Sequence, residues 1–353
     1  MSKILILGGT GAMGEHLVQL LRNTDNEVAV TSRKAHTNVD NITYIQGNAH
    51  EETFLSELLQ NDYDVIVDFM AYSTQEFKTK YMMILDHCKQ YVFLSSSRAY
   101  ANSKTRITED SDLLADTCKD EEYIQTDEYA LAKGRQENLL RTSGKKNWTI
   151  IRPYITYSEI RLQLGVLEKE EWLYRALHGR TIVFSEDIAQ RYTTLTYGHD
   201  VATGFMGIIS NPKAMGQAYH ITVATPIQWS EVLQIYLEEL ENILGKRPKV
   251  MMTQESINLQ SGRRWQVLYD RHYDRLFDNK KISAIVDTSG FLHPEDGLRN
   301  CIRSFCKHPV FRGIDWRMQA KYDRLTGDHA SWTEFQRLKT WAKYIVYRYF
   351  YNA

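Results

Sequence analysis

The sequence predicts an α/β fold, a doubly wound parallel sheet with a smaller, interleaved C-terminal domain. Three observations predict it. Short apolar runs alternate with helical patterns through the first half of the chain. The first run, Ile4-Leu5-Ile6-Leu7, breaks into Gly8-x-x-Gly11-x-x-Gly14, and a helical pattern (Leu17, Leu20, Leu21) begins at once. Beyond Pro153 the alternation becomes irregular.

The glycine spacing has a physical reading. Gly8 permits a tight turn, Gly11 lets backbone approach a pyrophosphate, and Gly14 lets the helix pack on the strand. Phosphate oxygens then meet free N–H groups at the positive end of the helix dipole. This is a Rossmann-type dinucleotide site, and Met13 is expected among its contacts. Further strands are expected at 27–31, 42–45, 64–69, 91–94 and 148–151, with helices near 54–59 and 80–88. Residues 1–157 and 193–216 are assigned to the nucleotide domain, and 158–192 and 217–312 to a substrate domain. Residues 313–353 form an aromatic and basic helical extension. Such a stretch is a membrane-surface helix or, the reading favoured here, a terminal helix packed on its own domain.

Composition excludes several classes. The 353 residues are 43% hydrophobic and 25% charged, as in ordinary globular proteins. A formal net charge of −1 gives no electrostatic footprint for nucleic acid. Cys88, Cys118, Cys301 and Cys306 make no CxxC pair, so neither a metal site nor a disulfide framework is indicated. With no signal-peptide pattern and no apolar run of membrane-spanning length, a cytoplasmic protein is expected.

The end of the second strand selects the dinucleotide. A carboxylate there holds the ribose of NAD, but the chain reads Thr31-Ser32-Arg33-Lys34. Arg33, with Ser32 beside it, suits a 2′-phosphate, which favours NADP(H). Arg33 stacked on adenine is the alternative, with NAD(H) bound. Asn48, after the third strand, is placed to meet the adenine edge or to stabilise a turn.

Tyr129 and Lys133 are four apart in a helical segment and share a face. A tyrosine near pKa 10 is a poor acid–base group at neutral pH. A neighbouring ammonium favours the phenolate, so the phenol can exchange a proton with a substrate oxygen. Ser95-Ser96-Ser97, closing the fifth strand, offers a hydroxyl for charge developing on that oxygen.

These residues, together with Tyr100, Arg152-Pro153 and Gly198-His199-Asp200-Val201-Ala202, resemble the extended short-chain dehydrogenase/reductase (NAD-dependent epimerase/dehydratase) family. The resemblance runs from residue 1 to about 306 and takes in Asn211–Thr222 and Phe277-Asp278-Asn279-Lys280-Lys281. It implies catalysis by Ser96, Tyr129 and Lys133. It places Phe69 and Ala71 along the cofactor, Pro153 beside the nicotinamide, and Ser97, Tyr157 and Arg191 on the substrate. It further implies a nucleotide sugar substrate, hydride chemistry at a sugar carbon, C4 in the first instance, and a homodimer through the tyrosine helix, with Gly134 allowing close contact. Reduction of a small carbonyl and a regulator without turnover are the competing readings.

Overall fold

The computed structural model describes residues 1–257 and 262–350. They form two compact units. The first comprises Met1–Ser158, Thr194–Pro226 and Arg275–Pro294, and the second Glu159–Thr193, Ile227–Asp274 and Glu295–Ala353.

The first unit is built on seven parallel strands. They are β1 (Lys3–Leu7), β2 (Glu27–Ser32), β3 (Ile42–Gln46), β4 (Tyr63–Asp68), β5 (Cys88–Leu94), β6 (Trp148–Pro153) and β7 (Gln217–Ile221). Their spatial order is β7-β6-β5-β4-β1-β2-β3. Alternate residues feed opposite faces, as the strand period requires. Ile4, Ile6, Val28, Val30, Val65 and Val67 pack under helices α1 (Gly14–Leu21) and, late in the chain, Gly198–Ile208. Leu5, Leu7, Ile66, Tyr91 and Phe93 face α2 (Glu52–Leu59) and α3 (Thr74–Asp86). Burial on both faces explains why these strands read as continuous apolar runs. The chain order reverses beside β1, between β4 and β2, and an open α/β sheet offers its crevice at such a switch point.

Two assignments made from sequence are corrected here. Residues 217–221, expected in the substrate domain, are the seventh strand, paired in register from Gln217↔Thr149 to Ile221↔Pro153. Residues 275–294 also belong to the first unit. Arg275 donates to the carbonyls of Tyr100 (3.1 Å) and Ala101 (3.0 Å), and Asn279 accepts from the Thr222 hydroxyl at 2.7 Å.

The second unit packs around the helix Trp229–Leu244, where Trp172 stacks on Tyr236 with ring centres 4.4 Å apart. Strands Ile182–Ser185 and Val250–Thr253 pair in parallel. The C-terminal segment is woven into this unit and is not a separate extension. Asp323, fully buried, accepts from Arg175 (2.6 Å), Arg180 (3.0 Å) and the Tyr344 hydroxyl (2.7 Å). Trp316 and Phe335 lie 4.2 Å apart. Among the described residues no helix is long and apolar enough to cross a membrane.

Candidate active site

The loops leaving β1, β4, β5 and β6 all start at the carboxyl edge of the first unit's sheet. After β1, Gly8 takes φ +74°, and its N–H donates to the Thr31 hydroxyl at 3.0 Å. A Cβ on Gly14 would lie 2.7 Å from the backbone of Gly9, so the helix can seat on the turn only without one. Gly198 is pressed from the other side, where a Cβ would come 2.3 Å from the Ala12 carbonyl oxygen. Gly11 differs, because a Cβ there would meet nothing within 4 Å. That open flank, at a helix N-terminus, fits a pyrophosphate. Met13 is half-buried at the N-cap of α1.

Around this turn, Phe69 is half-buried with its ring 5.3 Å from Phe205, and Ala71 is exposed. Ser32 is nearly buried, and its hydroxyl accepts from the Lys34 N–H at 3.2 Å. Arg33 is exposed. Asn48 uses its amide locally, accepting from the His50 N–H at 3.2 Å and donating to Glu51 at 3.3 Å.

Tyr129 opens the helix α4 (Tyr129–Arg141). It is 39% exposed, whereas Lys133, one turn on, is 1% exposed. The Lys133 ammonium lies 5.9 Å from the centre of the Tyr129 ring and donates to the Leu94 carbonyl at 2.7 Å, anchoring it to the end of β5. Burial pushes its pKa down to about 8, against the opposing pull of Asp68 and Glu137. Ser96, also near-buried, accepts from the Arg98 N–H at 3.2 Å. An oxygen that accepts from backbone keeps its own proton for a second partner. The structure thus brings Ser95 to Ser97, Tyr129 and Lys133 to the end of one strand and the start of one helix.

Two expectations need correction. Ser97 is fully buried and its hydroxyl donates to the Arg152 carbonyl at 2.8 Å, so it ties β5 to β6 instead of facing substrate. Gly134 owes its identity to an internal contact. A Cβ there would lie 2.8 Å from the Cβ of Ala115, in the short helix Leu114–Thr117. Tyr157 is fully buried with its ring 5.7 Å from that of Tyr197, and Pro153 closes β6. Arg191 is an exposed residue of the second unit, its carbonyl accepting from the Trp229 N–H at 3.2 Å.

Several site residues escaped the sequence reading. Glu137, one turn beyond Lys133, is fully buried and forms a fork-on-fork pair with Arg152 at 2.5 and 2.8 Å while accepting from Ser95 at 2.5 Å. Burial opposes its ionisation, yet Arg152 and Ser95 outweigh that and hold its pKa below the usual range. Arg152 also donates to the Tyr100 hydroxyl at 2.8 Å. Asp68, fully buried at the end of β4, has its pKa raised by burial in spite of hydrogen bonds from the Met70 N–H (2.8 Å) and Tyr91 hydroxyl (2.7 Å). Arg98 places its guanidinium 5.4 Å from the centre of the Tyr129 ring and pairs with Glu128 at 2.5 Å, the residue that N-caps α4. Among the described residues no cluster of His, Cys, Asp or Glu is arranged to hold a metal.

Comparison with known proteins bears on the family and the fold. Residues 4–224 match the sequence model of the NAD dependent epimerase/dehydratase family. The enzyme WbmH of Bordetella bronchiseptica, solved with NAD+, superposes with a TM-score of 0.66 at 14% identity over 88% of this chain and 100% of its own. UDP-glucuronic acid 4-epimerase from Bacillus cereus, solved with UDP-glucuronic acid and NAD, gives 0.62 at 18% identity over 86% and 99%. A chloroplast stem-loop binding protein of 41 kDa from Arabidopsis thaliana is 24% identical over 236 residues, 62% of this chain and 58% of that protein's length.

Proposed function

The chain belongs to the NAD dependent epimerase/dehydratase family, and from that premise we propose that it catalyses hydride exchange at a carbinol carbon of a nucleotide sugar, with Tyr129 as acid–base residue. The observation that carries this reading is a half-exposed phenol one helical turn from a buried ammonium, at the edge where the glycine turn opens. The bound nicotinamide supplies the hydride acceptor or donor. The N–H groups of the turn hold the pyrophosphate. Tyr129 takes the proton of a substrate hydroxyl, or returns it to a carbonyl, from its phenolic oxygen. Lys133 favours the phenolate and offers a further N–H to the nicotinamide ribose. Ser96 donates to the reacting oxygen as negative charge gathers there.

The same geometry serves an epimerase, which oxidises and reduces one carbon in turn, and a reductase, which only reduces it. The absence of a carboxylate after β2, with exposed Arg33 in its place, supports NADP(H) and net reduction. Stem-loop binding, named for the plant relative, is not favoured. The formal net charge of −1 lacks the cationic excess that phosphate backbones select.

The reading is tested by incubating the purified chain with NAD, NADP and their reduced forms against a panel of nucleotide sugars. Both reduced-nicotinamide absorbance and product epimers are followed. Turnover of at least one nucleotide sugar is expected; turnover confined to simple ketones or aldehydes would replace it with the small-carbonyl alternative.

A further inference from the structure

The C-terminal helix Leu338–Ile345 and the wider helical turn Val346–Phe350 that continues it have two unlike faces. The inner face is held by Tyr344, 2% exposed, whose hydroxyl donates to Asp323 and accepts from the Ala330 N–H. The outer face is apolar and open. Leu338 is 70% exposed, Val346 46%, Tyr349 61% and Phe350 77%. Leu338 and Val346 are two i+4 steps apart and share a stripe, with exposed Lys339 and Lys343 one position around from it. Between residues 335 and 350 the sequence has four basic residues and no acidic one.

We propose that this outer face docks on an anionic lipid surface. An apolar stripe rimmed by lysines, on a helix whose opposite side is already committed, is the geometry of a segment lying in a headgroup layer. Stem methylenes of the lysines reach over the apolar edge while the ammonium groups meet lipid phosphates and carboxylates. Charge argues against a second copy of the chain as occupant. A two-fold contact sets this face against itself, bringing lysine toward lysine with no acidic residue in the segment to compensate.

The test is co-sedimentation of the full chain with phosphatidylcholine vesicles and with vesicles containing phosphatidylserine, at low and high salt. Binding is expected to the anionic vesicles, falling at least about tenfold on phosphatidylcholine alone and weakening as salt rises, since each lysine near the surface is worth about fivefold. The double variant Lys339→Glu/Lys343→Glu and the variant Leu338→Ser/Phe350→Ser should each lose that binding while circular dichroism and melting temperature stay unchanged. Tyr129→Phe should bind vesicles as the parent does, which separates this proposal from the catalytic one. No binding to anionic vesicles, equal binding to both compositions, variants that bind normally, or a parent dimer that the variants dissolve would each overturn it.

Discussion

At Lys133 the chain keeps an ammonium where water scarcely reaches, and that choice has a measurable cost. Its pKa lies near 8 in the folded protein against 10.5 ordinarily, with burial the main cause. The folded state therefore binds fewer protons than the unfolded chain between those values, and stability rises with pH across that window. Below pH 8 the penalty is complete, on the order of 3 kcal/mol. Lys133→Met should therefore raise the denaturant midpoint at pH 7 and flatten the rise between pH 8 and 10.5, while abolishing turnover. A variant no more stable than its parent would contradict this. The glycines separate in the same spirit. Gly11→Ala should leave the melting temperature within a degree or so, because its Cβ enters open space, yet weaken dinucleotide binding at least about tenfold by occupying the pyrophosphate approach. Gly14→Ala should destabilise the fold itself by about 2 kcal/mol, because its Cβ meets the Gly9 backbone. Thermal melts and binding titrations on the pair decide the point. At Arg33, replacement by Ser should reduce affinity for NADP at least about tenfold and leave NAD unchanged, as loss of one charge-assisted phosphate contact requires. Equal losses for both would remove the 2′-phosphate role.

Between elements, the buried pair of Glu137 and Arg152 joins α4, β5 and β6 directly behind the residues proposed for catalysis. Removing one partner leaves the other charged and unpaired, so Glu137→Ala should cost about 3–5 kcal/mol in chemical denaturation. A loss under about 1 kcal/mol would show that the pair is solvated. The sequence exposed only part of this arrangement. The first six strands were readable because they are short runs rich in apolar and β-branched residues, most of them bounded by Gly, Ser or Pro, and Tyr129 with Lys133 because helical spacing sets them on one face. Glu137 sits at the same i+4 step from Lys133, but its partner is fifteen residues away on a strand, and no local pattern announces that pairing. Asp68 hides in the same way, as a carboxylate closing an apolar strand. Gly134 was misassigned to a dimer contact because the packing of Ala115 against it is a tertiary fact. The hydroxyl of Ser97 was misassigned for the like reason, since its acceptor, the carbonyl of Arg152, lies on a neighbouring strand.

At the scale of the whole chain, the two units are each assembled from three segments; the sequence reading has the interleaving and its first two switches to within a residue, but ends the second segment too early and misses the return of 275–294. β7 has a mixed composition and closes a sheet by pairing with a strand completed some sixty residues earlier, so nothing local marks it as an edge strand of the first unit. The last forty residues differ from the rest in aromatic and basic character, and a terminal helix packed on its own domain is the reading their sequence favours. In the structure Asp323 draws Arg175, Arg180 and Tyr344 into the core of the second unit. Asp323→Ala would take one carboxylate from two buried guanidinium groups and from the Tyr344 hydroxyl, while Arg180 keeps Glu334 at 2.7 Å and Arg175 keeps Asp328 at 3.5 Å, so we expect a loss of about 2–3 kcal/mol, read as earlier proteolysis of fragments containing residues 295–350. Unchanged proteolysis would mean that these charges find other partners.

The central claim is that the phenol of Tyr129 moves the proton while dinucleotide sits over the glycine turn. The most direct measurement pairs a binding titration with a turnover assay on Tyr129→Phe, once a substrate is in hand. The account predicts an unchanged dinucleotide dissociation constant and a loss of turnover of about 100-fold or more. Turnover near that of the parent would contradict it.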